Sequence, residues 1–216
     1  MQEMIIGVVS SLVAAALVVM AGWLGASRPR RLLIHLLSKM TGMGVERSYP
    51  DQKAANADLA ADLREARWVR VLAGRGNELT RDSFQALWRP GRERLESVEV
   101  LLPDPDDTGG WLRARGEEIR RSDPGFDAGV LAEQISANIT YLSTVSGRNP
   151  AVRLRLFDAP HSCRVIATDQ VVYFTPYLPG AHGRNSPCLV FRSDGVMYEY
   201  ALQIFARLWR AATPVP

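Results

Sequence analysis

Apolar and polar positions change period several times along this chain. Met4–Ala26 carries no charged residue. It is long enough for a helix across a bilayer core, which takes about 20 residues. The residues in front, MQE, hold no Lys or Arg, whereas Arg28, Arg30, Arg31 and Lys39 follow. Positive flanks stay cytoplasmic. The pattern therefore predicts a single-pass anchor in an inner or plasma membrane, with the N-terminus outside and the rest of the chain cytoplasmic. Leu32, Leu33, Leu36, Leu37 and Met40 recur at helical spacing and predict a basic juxtamembrane helix. Thr41–Gln52 is rich in Gly and polar residues and reads as a linker. The expected organisation is an anchor over 1–27, a juxtamembrane segment and linker over 28–53, and one domain over 54–216.

Within that domain the period switches between about 3.6 and 2. Ala54–Ala66 predicts an Ala-rich helix. WVRVLAGRG, Trp68–Gly76, alternates and then breaks at glycine, which predicts a strand and a tight turn. Leu79–Arg89 predicts a short helix, and Val98–Pro105 a second strand stopped by prolines. Thr108–Arg121 and Phe126–Gly147 predict two further helices. Val152–Ala159 is a third alternating strand. Cys163–Leu178 predicts two strands joined at Asp169-Gln170, a tight hairpin. Cys188–Ser193 is a last strand and Gly195–Ala212 a closing helix. Strands separated by helices imply parallel neighbours, and the hairpin adds an antiparallel pair. The expected fold is one mixed-sheet α/β sandwich behind the anchor.

Composition narrows the chemistry. Apolar residues make up 47% of the 216 and charged residues 23%, which suits a globular domain with a real core. Net charge is only +3, basic residues are interleaved with acids, and no basic-aromatic tract appears. Nucleic acid is therefore disfavoured as a partner. Cys163 and Cys188 form no CxxC and no His/Cys cluster. They read as buried free thiols, and neither a metal nor a cofactor is expected.

The element order, the stretch HSCRVIATDQVVYFTPY (His161–Tyr177) and FARLW (Phe205–Trp209) resemble one half of the phospholipase D-like superfamily over about Arg64–Ala212. That family carries an HxKxxxxD motif, in which His attacks phosphorus and Lys holds a phosphate oxygen. With Asp169 on the motif Asp, Arg164 falls on the Lys position and Ser162 on the His position. His161 is then one residue early. Adjacent strand residues face opposite ways, so the slip predicts an imidazole off the Arg164 face unless a bulge re-aims it.

The resemblance thus implies a catalytically degenerate module. Arg164 is suited to phosphate by its fixed, forked charge. Arg75 in GRG and Arg184 in HGRN fall on turns near strand ends, where ligands collect. The expected function is a membrane-anchored sensor or interaction module for a phosphate-bearing ligand or a protein partner. A signalling or defence role would be analogy alone. The alternative is a phosphodiesterase acting on phospholipid or nucleic acid, working as a homodimer through His161 with Asp169. A third reading is an adaptor without any small ligand.

Overall fold

The computed structural model describes residue 38 and residues 41–80, 82–88, 94–106 and 108–215. The predicted anchor and most of the juxtamembrane helix lie outside these. Among the described residues no helix is long and apolar enough to cross a membrane.

One eight-stranded mixed sheet organises the domain, in the spatial order β1-β7-β6-β5-β2-β3-β4-β8. The strands are β1 (Val45–Tyr49), β2 (Trp68–Leu72), β3 (Ser97–Pro103), β4 (Val152–Phe157), β5 (Cys163–Thr168), β6 (Val171–Pro176), β7 (Cys188–Arg192) and β8 (Thr213–Pro214). β2, β3 and β4 run parallel, and every other pairing is antiparallel. The helices are α1 (Gln52–Glu65), α2 (Gln85–Trp88), α3 (Trp111–Ser122), α4 (Ala128–Arg148) and α5 (Val196–Ala211). The mixed α/β architecture follows the alternation of periods, including the β5–β6 hairpin through Asp169-Gln170.

Strand alternation assigns the two faces. Val69 and Val71 of β2 and Ile166 of β5 join Leu59 and Leu63 of α1 and Leu142 of α4 in one core. Leu72, Val165 and Ala167 point the other way, onto Tyr198, Ala201 and Phe205 of α5. Each layer thus buries one apolar stripe of a helix, the main stabilising term of such a sandwich. A smaller cluster of Leu112, Leu131 and Ile135 joins α3 to α4.

The predicted linker is the main correction. Residues 45–49 form β1, an edge strand paired with β7, and Gln52 begins α1 and is buried. The domain therefore starts before residue 54. VERSY carries three polar residues in five, so burial by alternation is not visible in it. A polar network holds the strand instead. Arg47 donates to Asp62 of α1 at 2.7 Å, and the Tyr173 hydroxyl of β6 donates to the same carboxylate at 2.6 Å. The Tyr49 hydroxyl donates to Asp58. Burial, with that carboxylate beside it, pushes the Tyr49 phenol up to about 12. β8 was also absent from the periodic pattern, because two residues are too few to show one.

Close backbone approach seats the start of this domain on α5. Gly44, at φ +76°, lies against Gly195, and a Cβ on Gly195 would stand 2.5 Å from the Gly44 Cα and 2.7 Å from the Met43 carbonyl oxygen. Backbone cannot yield as a flexible side chain does. Gly195→Ala is expected to destabilise the chain by about 1–3 kcal/mol, the usual cost of overpacking. Denaturant unfolding of both proteins measures this, and an unchanged midpoint would show the contact to be loose.

Candidate functional site

A cavity of about 330 Å³ opens at the end of the sheet where β2 and β6 finish and β5 begins. There the sheet changes from parallel (β2–β3) to antiparallel (β2–β5) pairing. Crevices at the carboxyl ends of strands, where the order of connection changes, are where open α/β sheets usually bind ligands. The volume lies at the lower end of the range for small-molecule sites, about 300–1,000 Å³.

The predicted ligand-binding residues Arg75, Arg164 and Arg184 all line this cavity. They arrive by different routes. Arg164 lies in β5 and points to the α1 side of the sheet, as Ile166 does. Arg75 follows β2 in the turn that Gly76 makes at φ +84°. Arg184 sits on the short 3₁₀ turn Gly183–Asn185.

Their electrostatic situations differ. Arg164 is buried, pairs with the Glu78 carboxylate and donates to Gln52 Oε1. A buried guanidinium survives only with such partners. Arg75 and Arg184 make no ion pair among the described residues. Arg75 lies 5.3 Å over the Phe126 ring. Burial, then the nearby charge of Arg184 and to a smaller extent that of Arg115, draws its pKa down. Arg115 completes the group. It bonds Glu118 at 2.5 Å and the Ala181 carbonyl at 2.8 Å, and lies 5.7 Å over Tyr177. His182 Nε2 meets Asp123 at 2.9 Å, and that hydrogen bond holds the Asp123 carboxyl below its usual range.

His161 is the second correction. The one-residue slip predicted an imidazole turned away from Arg164. The structure places both on the wall of one cavity. The reason is that β5 begins only at Cys163, so strand alternation does not extend back to residue 161. The ring packs edge-to-face on Phe157, Trp111 and Tyr177, with centroids 4.9, 5.3 and 5.7 Å away. Both ring nitrogens are buried without a hydrogen-bond partner among the described residues. Burial, assisted by the Arg115 charge, lowers the pKa to about 4, so the ring is neutral at pH 7. Gly74 makes room for it, since a Cβ there would stand 2.8 Å from Nε2.

Asp169 does not join the site. It caps the far end of β5, where Oδ1 accepts from the Arg67 backbone N–H at 2.9 Å. His161 and Asp169, the alternative catalytic candidates, thus lie beyond opposite ends of β5. Among the cavity residues missed from the sequence are Gln52, Asn56, Glu78 and Arg115. Gln52 lay in the supposed linker, and Arg115 with Glu118 looks like any solvated i, i+3 helix pair. Among the described residues no group of His, Cys, Asp and Glu could hold a metal ion.

No family model matches the chain, and no curated protein matches it. Solved structures to which the chain is similar include two. TrmBL2, an archaeal chromatin protein that shows a novel mode of DNA binding, is 14% identical with a TM-score of 0.48, over 99% of this chain and 69% of that one. Nuc from Salmonella typhimurium, a phospholipase D family member, is 15% identical with a TM-score of 0.40, over 78% and 94%. Neither likeness bears on what the cavity holds.

The buried His161 makes stability depend on pH. Its folded pKa, about 4, lies below the unfolded value near 6.5. Between these values protons bind the unfolded chain preferentially. Stability present above pH 6.5 is thus lost as pH falls toward 4, by about 3 kcal/mol. His161→Phe keeps the ring contacts and removes the titration. Urea unfolding at pH 6.5 and 4 should show the wild-type chain losing about that much more than the variant. Equal losses would mean that the imidazole reaches solvent.

Proposed function

We propose that this chain is a membrane-anchored, phospholipase D-like binding module whose cavity takes a phosphate-bearing ligand. One observation carries the reading. Arg75 and Arg184 converge on a concave site with Arg115 and Arg164, and neither of the first two makes an ion pair among the described residues, although the Asp123 carboxylate feels the charge of Arg184. Like charges held together in a partly desolvated pocket raise one another's cost. A phosphate relieves that cost and accepts the forked guanidinium donors. Residues 4–26 supply the tether, on the strength of their length, lack of charge and basic flank. That orientation puts the cavity on the cytoplasmic side.

A second reading, hydrolysis of a phosphodiester by a homodimer through His161, has one observation in its favour. The imidazole shares the cavity with Arg164 and is neutral, as a nucleophile must be. Against it, both ring nitrogens are enclosed and, among the described residues, no carboxylate bonds them. Binding without turnover is the better fit. His161→Ala that abolished a measured phosphodiesterase activity would reverse this ranking.

Calorimetric titration with inorganic phosphate and with a phosphomonoester tests the binding reading. Loss of one charge-assisted contact costs about 1.5–3 kcal/mol. Arg75→Ala and Arg184→Ala should therefore each weaken binding by roughly tenfold to a hundredfold. No binding by the wild-type chain would end the proposal.

A further inference from the structure

The cavity has two chemically different halves. Arg75, Arg115 and Arg184 form the outer one, and the charges of Arg184 and Arg115 bear directly on Arg75. The inner one centres on Arg164, which Glu78 and Gln52 already satisfy. Tyr177 stands between them. Its ring lies under Arg115, its phenol feels the charge of Arg164, and its hydroxyl accepts from the Gly74 N–H at 3.2 Å.

This division has a consequence for the ligand. In the inner half a second anion would meet the Glu78 carboxylate. Arg164 donates to only one Glu78 oxygen, Oε2, and Glu78 keeps 39% side-chain exposure. An ionised carboxylate only accepts hydrogen bonds. Asn56 lies one helical turn after Gln52 on the same face of α1, also lines the cavity, and its side-chain amide makes no hydrogen bond among the described residues. The inner half therefore presents acceptors and an amide, the chemistry that recognises hydroxyl or amino groups. The volume of about 330 Å³ leaves room for such a group beyond the phosphate itself.

Resting on the phosphate-binding reading above, we infer that the ligand is a phosphomonoester of a hydroxylated organic group. Its phosphate lies against Arg75 and Arg184, and its hydroxyls are read by Glu78 and Asn56. Inorganic phosphate fills only the outer half. A free sugar phosphate and a hydroxylated phospholipid headgroup share this chemistry.

The test titrates the full chain, in detergent micelles, with inorganic phosphate and with ribose 5-phosphate. The readout is the ratio of the two affinities. A wild-type ratio of at least tenfold in favour of ribose 5-phosphate is expected. It should fall toward one in Asn56→Ala and in Glu78→Gln. Asn56 is only partly buried, so the first variant keeps the test valid should the second disturb folding around Arg164. Binding to vesicles containing phosphatidylinositol phosphate, weakened by Asn56→Ala, would assign the same site to a lipid headgroup. The inference is overturned if neither hydroxylated probe exceeds inorganic phosphate, or if the advantage survives both substitutions. Failure of every probe to bind would instead remove the phosphate-binding reading itself.

Discussion

The Arg164 guanidinium is the point on which the site depends. It lies buried in β5 with Glu78 and Gln52 as partners. An unpaired charge could not remain there, because the cost of stripping its water far exceeds what packing returns. The pair therefore fixes three pieces of chain at once: the strand, the turn after β2 and the start of α1. Asn77 secures the same turn from the other side, accepting from Asn138 of α4 at 2.7 Å and donating to Gln134 at 3.2 Å. The cavity is what remains open between pieces held this way.

Charge is distributed unevenly around that opening. Arg164 is neutralised within the protein, and Arg115 is largely so through Glu118. Arg75 and Arg184 make no ion pair among the described residues, and Arg184 has only the longer-range influence of Asp123. A chain of net charge +3 thus gathers four guanidinium groups in one concave place, with carboxylate partners for only some of them among the described residues. Low-dielectric walls strengthen such a field. This is a local property, and net charge alone could not reveal it.

His161 shows how the surroundings set a residue's chemistry. Three aromatic rings enclose it and, among the described residues, its nitrogens have no hydrogen-bond partner. The same side chain on a solvated loop would titrate near 6.5. Enclosed, it is a neutral wall of the cavity.

Periodicity alone determined most of the elements. The switch between alternating and helical spacing located β2 to β7 and the helices, since those patterns depend on neighbours a few residues away. It also marked Arg75 and Arg184, because turns after strands carry their own Gly signals. It failed at β1, where a network of Arg47, Asp62 and Tyr173 replaces apolar alternation. It misplaced His161, because strand alternation was carried back to a residue that precedes the start of β5 at Cys163. Only the tertiary structure brought Gln52 to Arg164 across 112 residues and separated Asp169 from both. Spacing along the chain says which way a side chain points within one element. Which elements meet is fixed by burial of whole faces, and no short stretch of sequence contains that information.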